Sequence, residues 1–238
     1  MTRKNTSLEI TPDTAFLRMV VRILVSWILI AALLFAGAGR LNWGLGWLFF
    51  IVWGLLKLAF TLLLRWRNPE LLVERVTQHQ NTQHYERLIL PVYFLMSFAT
   101  ILIAGLDGGR FQWSGGMPVP VIIIAYIIYL FGNVLASWAA SANPFFSDES
   151  RLQTDRDQKV TSHGPYKFVR HPAYLAAILG WPVTGLLMES WWAVIPGVLA
   201  ALMMFFRTVY EDRMLQSELI GYAEYAQKVP YRLFPGVW

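Results

Sequence analysis

The chain has no cysteine, so disulfides, thiolate catalysis and cysteine-based metal sites are excluded. It is also short of charge. Only 15% of its 238 residues are Asp, Glu, Lys or Arg, against about 25% in an ordinary soluble domain. No internal repeat or low-complexity segment stands out. Material for a metal site is scarce. His79 and His84 do not share a helix face and bring no carboxylate pair, so they are read as solvated and no metal ligand is assigned.

What is present is apolar. The composition is 56% hydrophobic and the mean hydropathy is +0.44. Six apolar runs are separated by polar connections: Phe16 to Ala38, Trp43 to Leu64, Ile89 to Leu106, Val119 to Ala140, Pro172 to Met188 and Trp191 to Phe206. A run of about 22 residues at about 1.5 Å each covers about 33 Å, enough to cross a bilayer. The expectation is an all-α, polytopic membrane bundle of about six transmembrane helices. Residues 1–140 would supply the N-terminal spans. Residues 141–238 would form a second region, with a helical hairpin and helices that project past the bilayer. Met1 to Thr14 is polar and expected to be mobile. Asp107 to Gly116 reads as a turn-rich loop. Leu71, Leu72 and Val76 give a short amphipathic pattern suited to an interfacial helix. Lys57 lies inside the second run, near its basic end, and snorkelling accounts for it.

Six spans put Arg65, Arg67, Arg75, Arg87, Arg151, Arg156, Lys159, Lys167, Arg170, Arg207, Arg213, Lys228 and Arg232 on one side, with only Arg40 and Arg110 opposite. The positive-inside rule then places both termini and the polar segments in the cytosol, in what reads as a bacterial inner membrane. The net charge of +5 reflects these loops and implies no nucleic-acid partner.

One stretch stands apart: Gln153 to Tyr174, QTDRDQKVTSHGPYKFVRHPAY, polar, basic and aromatic together. Pro172 suits the first turn of a helix, where a missing N–H costs nothing. Arg170 and His171 then stand at that helix's mouth, where free N–H groups and a guanidinium attract anions. A plain basic anchor for the helix is the other reading. Farther on, Arg207 and Glu211 are four apart and share a helix face, with Tyr210, Asp212 and Arg213 around them. Both segments lie at the cytosolic ends of one hairpin and should meet there. A carboxylate, the faces of Tyr166 and Tyr174, and a helix start would together suit a zwitterionic, cationic cofactor.

Gly164-Pro165-Tyr166-x3-Arg170-His171-Pro172-x-Tyr174, about thirty apolar residues, then Arg207-x3-Glu211-Asp212-x2-Leu215 resembles the isoprenylcysteine carboxyl methyltransferase family and the related phospholipid N-methyltransferases. The resemblance covers Asn143 to the C-terminus. It implies S-adenosylmethionine-dependent methyl transfer to a lipophilic acceptor, either a carboxylate such as that of a prenylcysteine or a phospholipid amine, from a cytosolic cofactor pocket formed by the C-terminal hairpin and flanking loops. By that resemblance Gln153, Gln158, Lys159, Val160, Thr161, Tyr166, Arg170, His171, Pro172, Ala173, Tyr174 and Glu211 hold the cofactor. Arg207 meets the substrate, and Arg207 and Glu211 carry the chemistry. Asp212 stands where a second Glu is frequent, and no glycine follows Tyr174 where many members have one. The glycine-rich fingerprint of soluble methyltransferases is absent, as this resemblance implies. Two alternatives stay open. A nicotinamide-dependent reductase of the sterol-reductase type carries a similar Arg-His-Pro-x-Tyr block. A non-enzymatic transporter or scaffold would share the spans, although the runs hold almost no ionisable residues to mark a pathway.

Overall fold

A computed structural model describes residues 11–77 and 83–238. His79 and most of the expected mobile N-terminus lie outside the described residues. Among the described residues there are eight α-helices and no strand. Helix α1 (Pro12–Ala38) is opened by Thr11, whose hydroxyl accepts from the Thr14 amide at 3.3 Å, with Pro12 behind it. Its first turn therefore takes up Pro12 to Thr14, which the polarity of the sequence had assigned to a mobile end. Helix α2 (Gly44–Arg67) leads directly into the short α3 (Pro69–Val76). Leu71, Leu72 and Val76 of α3 are buried against Ala15, Leu64 and Ala140, so the amphipathic pattern seals the polar end of the bundle.

Helix α4 (Glu86–Ala104) does not stop where hydropathy falls. It continues as a π-helical stretch, Gly105–Phe111. The expected loop begins only at Gln112, because Asp107 before it is buried and satisfied. Asp107 is 0% exposed. It accepts from the Ser114 amide at 2.8 Å and the Ser114 and Ser190 hydroxyls at 2.5 and 2.7 Å. Glycine is required there: a Cβ on Gly108 would lie 1.9 Å from the Met188 carbonyl oxygen. Removing side chains lets α4 approach the next turn closely enough for Asp107 to reach Ser190.

Helix α5 (Val119–Ala142) packs on α6 (Pro172–Leu186), α6 on α7 (Val194–Glu218), and α7 on α4. Pro172 opens α6 and His171 stands before it, as the sequence requires. Gly221, at φ 82°, turns the chain out of α7 into α8 (Tyr222–Lys228). Among the described residues, five helices are long and apolar enough to cross a membrane: α1, α2, α4 with its π-helical extension, α5 and α7. The sixth apolar helix, α6, has only 15 residues, about 22 Å against a hydrocarbon core of about 30 Å. Leu34, Phe49, Ile101, Leu187 and Met188 fill the centre of the bundle. Ile28, Leu55, Ile127 and Val134 point outward and are more than half exposed, as lipid-facing side chains are.

Candidate functional site

The polar end is built around two successive acids of α7. Asp212 is 0% exposed and gathers five side chains. Arg170 grips it with two hydrogen bonds, Nε to Oδ1 at 2.7 Å and Nη2 to Oδ2 at 2.9 Å. His171 Nε2 and the Tyr222 hydroxyl reach Oδ1 at 3.1 Å, and Gln216 and Arg232 reach Oδ2 at 2.7 and 2.8 Å. Nη1 of Arg170 also donates to the carbonyls of Val229 and Pro230, both at 2.8 Å. Burial alone would lower the pKa of Arg170, but its bonds to Asp212 outweigh that and hold it above the ordinary arginine value. The anion-attracting role expected of Arg170 at the helix mouth is therefore not what its guanidinium does. Its charge is spent on Asp212, because a buried carboxylate needs its cation more than a solvated mouth does. The same hub ties in the C-terminal tail, whose Tyr231 and Arg232 carbonyls accept from the Arg170 and His171 amides at 3.0 and 2.9 Å.

Glu211, the other acid, faces the opposite way, into a cavity. Its Oε2 accepts from the Tyr174 hydroxyl at 2.5 Å and from the Ser150 hydroxyl. Its Oε1 lies 4.0 Å from His171 Nδ1. The segments expected to meet, around Tyr174 and around Glu211, are thus in direct contact. Tyr174 stacks on His171 at 5.6 Å with planes 10° apart, and the cation over its ring is internal, the Arg207 guanidinium 5.2 Å from the centroid.

Arg207 is 6% exposed. It donates from Nε to Glu86 at 2.7 Å and Ser150 at 3.3 Å, and from Nη2 to the Asp148 carbonyl at 2.6 Å. It stands behind the cavity wall rather than on it.

The cavity encloses about 820 Å³, its mouth included. Gln153, Gln158, Lys159, Val160, Thr161, Tyr166, Arg170, His171, Pro172, Ala173, Tyr174 and Glu211 all line it; Arg207 does not. Gln153 is 1% exposed and acts as a loop staple. Its amide donates to Gln158 Oε1, its side chain donates to the Phe145 carbonyl, and Arg156 donates to its Oε1, each at 2.7 Å. Thr161 donates to Asn143 at 3.1 Å, and Asn143 in turn donates to the Tyr166 hydroxyl at 3.3 Å. Burial pushes the Tyr166 phenol up. Burial, and then the Asp212 charge, do the same to Tyr222. Both therefore stay neutral hydrogen-bonding groups.

Sequence reasoning missed part of the wall. Phe145, Phe146 and Ser150 come from the segment after α5, and Met214, Leu219 and Tyr225 from α7, its end and α8. The Asn143-Pro144 pair signals only a helix end. No local pattern shows that the following residues fold back over the mouth of α6, where Arg207 and Glu211 hold Ser150. Tyr225 had one retrievable signal, its spacing from Tyr222 on a short aromatic helix. Its hydroxyl donates to the Tyr166 carbonyl at 2.7 Å.

The class defined so far is a polytopic helical membrane protein with a polar, partly enclosed cavity at one end. Residues 120–219, from the start of α5 through the cap of α7, match the phospholipid methyltransferase family. A curated relative, the cobalt-zinc-cadmium resistance protein CzcN of Cupriavidus metallidurans, is 28% identical over 141 residues, covering 55% of this chain. The match spans 57% of that relative's length.

Proposed function

We propose that the protein is an S-adenosylmethionine-dependent methyltransferase acting on a lipophilic acceptor at the cytosolic face of a bacterial inner membrane. Supporting this reading is one observation above others: a carboxylate oxygen of Glu211 opens into a cavity beside two tyrosines and the start of α6. The donor set suits the cofactor. Glu211 Oε1 offers a counter-charge to a sulfonium or ammonium group. Backbone N–H groups at the start of α6 suit a carboxylate. Met214, Leu215 and Leu219 give an apolar wall for a base.

When bound, the cofactor supplies an electrophilic methyl group on a positively charged sulfur. The chain's tasks are alignment and dehydration. Transfer to a carboxylate joins opposite charges and disperses them, so a dry site favours it and no base is needed. Transfer to an amine requires the nitrogen to be neutral. Glu211 and His171 remain candidates for taking that proton. Asp212 does not, because five side chains already occupy it. Arg207 supports the cavity wall by holding Ser150 and the Asp148 carbonyl in place.

The test is calorimetric binding of S-adenosylmethionine to purified protein. Glu211→Gln keeps the side chain's shape while removing its charge. A charge-assisted hydrogen bond is worth about 1.5–3 kcal/mol, so affinity should fall about tenfold or more. Unchanged affinity in the variant, or no binding by the unaltered protein, would overturn the reading.

A further inference from the structure

A second cavity, about 700 Å³ with its opening included, is lined by Trp53, Lys57, Tyr93, Tyr129, Asn133 and Trp181 among others. It is set at membrane depth. Lys57 is ten residues before the polar end of α2, about 15 Å along the helix. Two residues connect this chamber to other openings. Ala173 lines both the chamber and the cavity that holds Glu211. Asn133 lines both the chamber and an outer groove that includes Leu56, Phe60 and Trp138, between α2 and α5. The chamber therefore adjoins the methyl-transfer cavity on one side and an apolar surface on the other.

Lys57 is the unexplained group here. It is not sealed by protein. The charges that act on it are those of Arg75 and Asp148, and these two are paired with each other. Arg75 outweighs Asp148 there, so the pair supplies no counter-charge to the Lys57 ammonium. Arg207, by contrast, already has Glu86 at 2.7 Å. An intramembrane charge without a counter-ion is costly, and a ligand that supplies one removes that cost. Tyr93 also lines the chamber and accepts from Trp181 Nε1 at 2.7 Å. One ammonium with neutral donors around it matches a single negative charge, and so a carboxylate better than a dianionic phosphate.

We propose that Lys57 is the counter-charge for a monoanionic, carboxylate-bearing amphiphile that enters between α2 and α5 and lies in this chamber. Its identification as the methyl acceptor rests on the function proposed above; its binding does not. Lys57, not the neutralised Arg207, holds the anion. Snorkelling places no ligand in the chamber and predicts no preference among head groups.

The probe is a long-chain fatty acid carrying a photoreactive diazirine, compared with the alcohol of the same chain, in phosphatidylcholine proteoliposomes. Crosslinks are mapped by peptide mass. The carboxylate should label α5 and α6 chamber peptides about tenfold more than the alcohol. Lys57→Gln should abolish that ratio, and Lys57→Arg should keep it. Equal labelling by the two probes, or a ratio unchanged in Lys57→Gln, overturns the proposal. If Lys57→Gln fails to fold, the ratio in the unaltered protein and in Lys57→Arg still decides. Calorimetry with S-adenosylmethionine on the same preparations separates the two ideas. Head-group preference without donor binding would sink the enzyme reading and leave the chamber site. Donor binding without head-group preference would do the reverse.

Discussion

Asp212→Asn isolates the hub that holds the polar end together. The substitution keeps volume and removes one charge. Arg170, with its side chain 4% exposed, then loses its carboxylate. Breaking a buried pair from one side costs about 3–5 kcal/mol. Arg170 keeps the Val229 and Pro230 carbonyls, and Arg232 is 31% exposed and can turn to water. The cost should therefore sit at the lower end, about 3 kcal/mol, which corresponds to about a hundredfold more frequent local opening. Hydrogen exchange followed by mass spectrometry in detergent reads this directly. The amides of Arg170 and His171, which donate to the tail, and those of α8 should exchange about a hundredfold faster, while the centre of α5 stays protected. Exchange within about threefold of the unaltered protein at these amides would refute the assignment of Asp212 as the fastening point.

Further expectations concern the neighbouring groups. Arg207→Ala strips Glu86, itself 2% exposed, of its cation and should destabilise the bundle by about 3–5 kcal/mol. Turnover should be lost but S-adenosylmethionine affinity retained, because Arg207 does not line the cavity; calorimetry and a labelled-methyl assay check both. Gly108→Val would drive a side chain into the Met188 carbonyl, at a cost of about 1–3 kcal/mol or more, seen as a lower melting midpoint. Tyr166, Tyr222 and Tyr225 are held neutral chiefly by burial, with pKa values above those of free phenols. Their folded-state values exceed the unfolded value of about 10. Their stabilisation is thus complete below about pH 10 and is lost as pH rises through the folded values. Phenolate absorbance should show late-titrating groups that ionise as the polar end opens. Three tyrosines titrating near the free value in a still-folded protein would contradict this.

Hydropathy and proline placement made the helices legible, among them the start of α6 at Pro172. They failed where burial reversed polarity. Asp107 looks like loop material until Ser114 and Ser190 satisfy it, and glycine was a signal of close helix contact there rather than of a turn. At the site, residue types were readable but pairings were not. Arg170 and Asp212 are 42 positions apart, and nothing local shows that Arg170 serves the acid instead of an incoming anion. The same holds for Arg207, whose partner Glu86 is 121 positions away. Lys57 was read by its distance along α2 from a basic end. Its environment depends on α5 and α6, which that spacing does not contain.

The Asp107 to Ser190 bond has a mechanical consequence. It rivets the turn between α6 and α7 to the far end of α4, in a place where Gly108 leaves no slack. The two arms of the hairpin are then like tongs with a fixed pivot: any spreading is greatest at the free tips, where Tyr174 and Glu211 clasp. A small rotation at the rivet would translate into a gap at the clasp, where the Tyr174–Glu211 contact and the Asp212 hub beside it keep the tips shut.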